Sequence, residues 1–208
     1  MEIASINIGR KRTLSGRSFK GSTGIFKQPV TDAVSVSTLG LEADVVCNGR
    51  HHGGPDQAVY LYREEDYGWW SEQLGREIGP GTFGDNLTLR GLPEANLVIG
   101  SRLRLPYLLL EVSAPRIPCN TLAERMEDPA FVKAFVRAER PGIYCRVIET
   151  GNVRAGDQFS LEPYAGDQVS TLDLFRASYR KLDADELRRF LAAPIDIRTR
   201  KKFEAKLK

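Results

Sequence analysis

The sequence predicts a mainly β protein with helices, an α+β chain whose β-barrel-like core spans residues 1–163 and precedes a small three-helix bundle over 164–208. Three observations carry this expectation. The first 163 residues break into short apolar runs separated by turns, for which the chain's nineteen glycines supply positions. Only two amphipathic helices interrupt those runs, as in small antiparallel barrels. After Tyr164 the apolar spacing changes from a strand period to a helical one.

In chain order, Ala4, Ile6 and Ile8 alternate, as do Val34 and Val36, and both stretches read as half-buried strands. Ala58 to Tyr62 and Leu108 to Val112 are denser runs, suited to strands covered on both faces or set in a barrel wall. A helix is expected over Glu64 to Leu74, with acidic residues in its first turn and Tyr67, Trp70 and Leu74 on one face. A second is expected over Pro129 to Arg137, opening on proline and grouping Phe131, Val132, Phe135 and Val136. Tyr144 to Glu149 and Gln158 to Leu161 flank two turn-rich segments and read as an antiparallel pair. In the tail, Ser170 or Thr171 caps a helix carrying Leu172 and Phe175. Asp183-Ala184-Asp185-Glu186 opens a second like a capping box, Pro194 ends it, and Phe203 and Leu207 mark a third.

Bulk properties exclude several classes. A 41% hydrophobic and 27% charged composition is that of a folded globular chain. No apolar run is long enough for a membrane helix. The N-terminal residues lack the order of a signal peptide, and three cysteines without CxxC spacing suit a reducing compartment, so a cytoplasmic location without membrane attachment is expected. Residues 165–208 hold eleven Lys/Arg against seven Asp/Glu, whereas the rest of the chain is almost balanced at nineteen against twenty. The main body therefore lacks a field for gripping a polyanion, and nucleic acid is disfavoured as a partner. Dinucleotide-binding, P-loop, zinc-protease and serine-hydrolase fingerprints are absent.

Cys119 is the first candidate for chemistry. Pro115 and Pro118 stiffen its approach, Arg116 brings a permanent cation, and residues from Thr121 look helical; each favours a thiolate. A lone cysteine is otherwise a small buried hydrophobe. Arg50-His51-His52-Gly53-Gly54-Pro55-Asp56 holds both histidines of the chain, beside glycines whose amides can approach a ligand; its alternative is a surface turn. Gly81 to Thr88 offers Asn86 as both donor and acceptor, and Gly24 to Val30 sets Lys27 in an apolar segment. Read alone, these last two are a loop and a snorkelling lysine.

Taken in order, the segments Gly24-Ile25-Phe26-Lys27-Gln28-Pro29-Val30, Gly40-Leu41 with Asp44, His51 to Asp56, Phe83 to Leu87, Pro115-Arg116-Ile117-Pro118-Cys119 and Tyr144-Cys145-Arg146-Val147 resemble the MOSC domain, in its YiiM-like group. The resemblance covers roughly residues 1–163 and implies a closed β-barrel core that binds a molybdenum cofactor, molybdenum on molybdopterin. It implies Cys119 as the metal ligand, with His52 as a proton donor in catalysis. Arg116, Lys27 and Arg146 are the candidates for the pterin phosphate and the metal's charge, while Gly53, Gly54 and Asn86 line the pterin or substrate side. The implied activity is reduction of small N-hydroxylated compounds, such as N-hydroxylated nucleobases, with electrons from an external reductase.

The sequence departs from the family pattern at Asp85, Ser101, Val46 and Asn48, which bears on substrate choice and on the surroundings of the site. Two other readings stay open. One is a persulfide carrier on Cys119 for metal–sulfur or cofactor assembly. The other is a nucleic-acid-binding module in the basic tail, which could equally serve a homodimer or reductase contact.

Overall fold

The computed structural model describes residues 1–49, 52–93 and 96–207. In chain order the strands of the first half are β1 (Glu2–Gly9), β2 (Arg12–Ser15), β3 (Lys20–Thr23), β4 (Lys27–Val30), β5 (Val34–Ser37), β6 (Gly40–Leu41) and β7 (Val59–Arg63). Helix α1 (Glu64–Leu74) follows, then β8 (Leu87–Arg90), β9 (Arg102–Leu105) and β10 (Leu108–Pro115). Helices α2 (Asn120–Met126) and α3 (Phe131–Ala138) precede β11 (Ile143–Glu149), β12 (Gly151–Val153) and β13 (Ser160–Glu162). The chain closes with α4 (Thr171–Ala177), α5 (Ala184–Ala192) and α6 (Ile197–Leu207).

Eight strands form one sheet in the order β13-β9-β10-β11-β7-β8-β1-β4. All its pairs are antiparallel except β7–β8, which are parallel and joined by α1, the crossover that a parallel neighbour requires. Smaller sheets are formed by β12-β5-β6 and by β2-β3. All eight residues of β10 are buried, as are four of the five in β7, so the two densest apolar runs are covered strands. A large aliphatic core including Ile6, Leu61, Leu87, Leu110 and Val112 is joined by Leu174, Leu187 and Phe203 from the tail. A second, aromatic core gathers Tyr62, Tyr67, Trp70, Phe83, Phe131 and Phe135.

The closed barrel is not found among the described residues, which form a mixed α+β fold with an open main sheet and six α-helices. The edge strands β4 and β13 have no pairing with each other among the described residues. Both are short, and β4 carries Pro29, which has no N–H with which to extend a ladder. Strand β1 meets the segment before β13 through one bridge, Glu2 with Gln158, rather than a continuous ladder. The three-helix bundle is also corrected, because the helices are distributed along the chain and the last three do not pack only on themselves. Helix α4 lies against β10, while α5 lies against α6. Nor do β11 and β13 pair; β9 and β10 separate them, and β12 turns away to β5.

Local signals hold well. Helix α1 has the expected bounds and buries Tyr67 and Trp70, closing on Gly75 in the left-handed region. Complete capping boxes start α4 at Ser170 and α5 at Asp183. The second expected helix begins later, at Phe131, and the short α2 makes a third in this half. Among the described residues no helix is long and apolar enough to cross a membrane.

Candidate functional site

Several strands and the loops between elements converge on one cleft. Its wall includes Lys27 at the start of β4, Asp44 and its neighbours after β6, and the His52–Gly53 loop. Tyr60 of β7, Asn86 before β8, Arg116 and Cys119 between β10 and α2, and Tyr144 of β11 complete it. Gly24 lets two of these loops meet, since a Cβ there would lie 1.9 Å from the Val45 carbonyl oxygen. Gly53 has φ 68°, a conformation that favours glycine.

Cys119 is the N-cap residue of α2, with an extended backbone and no side-chain cap bond. Its thiol is free and half-buried. Burial alone would raise the thiol pKa; a hydrogen bond with His52 and the charge of Arg116 outweigh it and bring the pKa down to about 6. Cys145 is the contrast: it is fully buried in the aliphatic core, and burial pushes its thiol far up. In the metal-free protein, iodoacetamide is expected to modify Cys119 with a rate that reaches half its plateau near pH 6, read by mass spectrometry of the native chain. Cys145 should stay unmodified until unfolding. A Cys119 profile with its midpoint above pH 8 would show that His52 and Arg116 do not hold the thiolate.

Arg116 is 4% exposed and lies over the Tyr60 ring at 5.4 Å and the Phe135 ring at 5.9 Å, both measured to the centroid. Its Nη1 has no hydrogen-bond partner among the described residues, a costly state for a buried donor that a ligand acceptor would relieve. Lys27 is also buried and is ion-paired to Asp44. Burial draws its ammonium below the ordinary lysine value, with Asp44 opposing the shift. Asp44 also accepts from the Gly9 amide at 2.7 Å and from Asn86 Nδ2 at 3.0 Å. Asn86 Oδ1 in turn accepts from the Tyr60 amide at 3.1 Å. Asn86 thus stands on the cleft wall but uses both ends of its amide within the protein.

Beneath the wall, Asp85 is completely buried and accepts from Tyr67 Oη, Thr88 Oγ1, Asn7 Nδ2 and the Gly81 amide. Burial pushes its carboxyl up, against the effect of the Tyr67 and Thr88 hydrogen bonds. It supports the Gly81–Asn86 loop rather than facing a ligand. Of the other departures from the family pattern, Val46 and Asn48 line the cleft, whereas Ser101 is buried away from it.

The structure does not bring every expected residue to the cleft. Gly54 lies just beyond its wall, and Arg50 and His51 are outside the described residues. Arg146 is elsewhere: its guanidinium donates to Asp56 and Glu111 at 2.9 Å each and to the Pro194 carbonyl at 3.0 Å, tying the tail to the sheet. Sequence reasoning missed Asp44 as a partner of Lys27, and it missed Tyr60 and Tyr144. It also missed Arg198 of α6, which donates to the carbonyls of Gly53 at 2.9 Å and Gly49 at 3.0 Å and so fixes the His52 loop. The basic surplus of the tail was the one signal for Arg198, and it reads equally as a solvated face.

The fold and this cleft define an α+β protein whose cleft sets one low-pKa cysteine beside buried cations. Comparison with known proteins narrows the class. The MOSC domain model matches residues 48–160. The Bacillus subtilis protein YflK is 38% identical over 159 residues, covering 76% of this chain and 72% of that one. A Gibberella moniliformis protein named reductase is 35% identical over 162 residues, covering 72% of this chain and 29% of that longer one. The crystal structure of YiiM from Geobacillus stearothermophilus superposes with a TM-score of 0.81 at 28% identity, covering 100% of this chain and 99% of that one. The chain belongs to the MOSC domain family and is YiiM-like within it.

Proposed function

We propose that the cleft binds a molybdenum cofactor through Cys119 and serves the reduction of N-hydroxylated compounds, N-hydroxylated nucleobases among them, with electrons from a separate reductase. The observation that carries this reading is the Cys119 thiol, held near pKa 6 beside His52 and the buried Arg116. The donor set fits. Among the described residues no three His, Cys, Asp or Glu side chains are grouped to hold a bare metal ion, so a single soft thiolate suits a metal that brings its other ligands with it. The unpartnered Arg116 Nη1 suits an anionic group in the same cleft.

When bound, the cofactor supplies the two-electron chemistry that removes oxygen from an N–OH group. Cys119 holds the metal, and Arg116 and Lys27 balance the negative charge gathered around it. His52 touches the Cys119 sulfur and half faces solvent, so it can carry a proton to the departing oxygen. Gly53 brings backbone rather than side chain to the wall, leaving room for a flat ligand. In this reading the electrons come from a separate reductase, in keeping with a sequence that shows no flavin or nicotinamide fingerprint. The relative named reductase supports redox chemistry.

Protein expressed with full cofactor supply is expected to purify with molybdenum and pterin, measured by metal analysis and pterin fluorescence. It should also reduce an N-hydroxylated purine once a reductant is provided. Protein free of pterin under those conditions, yet carrying sulfane sulfur on Cys119, would replace this reading with sulfur transfer.

A further inference from the structure

The near balance of charge over residues 1–164 hides an uneven spread. Residues 3–31 hold six Lys/Arg and no Asp/Glu. Lys27 is buried against Asp44, but Arg10, Lys11, Arg12, Arg17 and Lys20 are exposed on and beside the β2–β3 hairpin. Among the described residues none of these five forms an ion pair. The tail is the opposite case, with Arg176, Arg180, Arg188 and Arg189 all paired to acids.

The hairpin is a separate two-stranded sheet that α2 helps to hold in place. The Ser18 amide donates to Glu124 Oε2 at 2.9 Å, and Gly16 leaves room for that carboxylate, since a Cβ there would lie 1.5 Å from Glu124 Oε1. Glu124 is thereby engaged by a backbone donor rather than by a hairpin cation. Arg125 of α2 adds to the positive field: its guanidinium lies over the Phe26 ring at 4.7 Å, and that of Arg12 at 4.9 Å. Arg12 and Arg76 stand near enough to repel its charge, with Glu127 opposing them. Phe19, Ser22 and Thr23 of the hairpin line the Cys119 cleft, as does Thr121, one helical turn before Arg125. The cations therefore gather at one lip of that cleft.

Five exposed cations along one hairpin are more than a single phosphate would use, and they suit an extended anionic surface. A nucleic acid would gain from rings on which bases stack. Here Phe26 is already covered by two guanidinium groups, and Phe19 is half-buried in the cleft wall. We infer that the β2–β3 hairpin is a docking surface for an acidic electron-carrier protein, which it steers to the mouth of the cleft. The carrier's role as electron donor rests on the reductase reading; the recognition by charge does not. In that role the carrier delivers two electrons, which with two protons from solvent convert an N–OH group to N–H and water. Such steering raises the rate of encounter and fades as salt screens the charges.

A plant-type ferredoxin, a small acidic iron–sulfur carrier, is the probe, and the full chain with its cofactor is the target. Calorimetry at low ionic strength is expected to show ferredoxin binding to the wild type, with an affinity that falls as salt is added. Arg17→Glu with Lys20→Glu reverses two exposed charges and should weaken binding roughly tenfold or more at an unchanged unfolding temperature. Lys181→Glu with Lys201→Glu makes the same change of net charge in the tail and should bind as the wild type does. With reduced ferredoxin as donor, turnover of an N-hydroxylated purine should fall in the hairpin variant by a similar factor in kcat/KM for ferredoxin. Its rate with reduced methyl viologen, a small donor that needs no docking surface, should not change. Absence of ferredoxin binding to the wild type, equal affinity in the hairpin variant, or an equal loss in the tail variant would each overturn the proposal. An oligothymidylate bound more tightly than ferredoxin, and released by the hairpin substitutions, would give the surface to nucleic acid instead. Hairpin-dependent binding without reduction of N-hydroxylated bases by methyl viologen would uphold the docking surface and sink the reductase reading. Reduction by methyl viologen with ferredoxin binding indifferent to the hairpin would do the reverse.

Discussion

Cys119→Ala is expected to purify with roughly a tenth or less of the wild-type molybdenum and to reduce N-hydroxylated bases on the order of a hundredfold more slowly, or worse. The magnitude follows from what lesser changes do. Replacing residues that only orient a metal ligand commonly costs about 10–100-fold in affinity or activity, so removing the ligand itself should cost at least as much. The fold should not be what fails. Cys119 is half-buried, its backbone is extended, and α2 starts on its carbonyl rather than its side chain, with Leu122 N–H donating at 2.9 Å. Alanine adopts the same conformation, so the unfolding temperature should change little. Cys119→Ser separates charge from softness, because a serine hydroxyl stays protonated and is a harder donor; it should behave like alanine rather than like the wild type. Full molybdenum retention and activity in Cys119→Ala would remove the thiolate from the centre of the proposed function.

Much of the cleft's chemistry was legible because it is local. Arg116 lies three residues before Cys119, the prolines flank it, and the helical pattern beginning at Thr121 placed its sulfur at a helix start. The bounds of α1, the cap of α4 and the capping box of α5 were readable for the same reason: each helix end is marked by residues within a turn of it. The rest depends on partners far along the chain. Asp44 reaches the Gly9 amide across 35 positions, Arg146 reaches Asp56 across 90, and Arg198 reaches the Gly53 carbonyl across 145. Nothing near Arg146 distinguishes an arginine that faces a ligand from one that clamps the tail to the sheet. Strand pairing fails for the same reason. The turn at Thr150–Gly151 reads as a hairpin, but the residues after it find β5 instead.

Those distant partners change how the tail is understood. Arg176, Arg180, Arg188 and Arg189 form ion pairs with Glu139, Glu186, Asp185 and Asp173, while Arg200 binds the carbonyls of Leu191 and Ala193. The arginines that look like a basic surface are thus mostly engaged within the protein. With Arg198 on the His52 loop and Arg146 on Pro194, the C-terminal helices help to shape the cleft. A change in the tail is accordingly felt at the site.

Phe83→Ala should lower the unfolding free energy by about 3–5 kcal/mol, visible as a lower urea midpoint at an unchanged slope. Phe83 is fully buried and sits among rings from three elements: Tyr62 at 5.0 Å, Tyr67 at 5.2 Å, Phe135 at 5.5 Å, Trp70 at 5.7 Å and Phe131 at 5.8 Å between centroids. The cost of a cavity depends on how far its walls can collapse. Here they are held from behind, Tyr67 by Asp85 and Tyr62 by Trp70 Nε1 at 2.9 Å and the Arg140 carbonyl at 3.0 Å. Those bonds keep the rings in place, so the loss should fall in the upper part of the range. Phe83→Leu, which fills more of the space, should lose less. A loss under about 1 kcal/mol for alanine would mean that the rings close the gap and the cluster is softer than its hydrogen bonds imply. The site should register the change too, because Phe83 N–H donates to Tyr67 Oη at 3.1 Å and the same loop carries Asp85 and Asn86 to the Tyr60 backbone. Loosening that loop frees the wall opposite Arg116, so Phe83→Ala should weaken ligand binding in the cleft even under conditions where the protein remains folded.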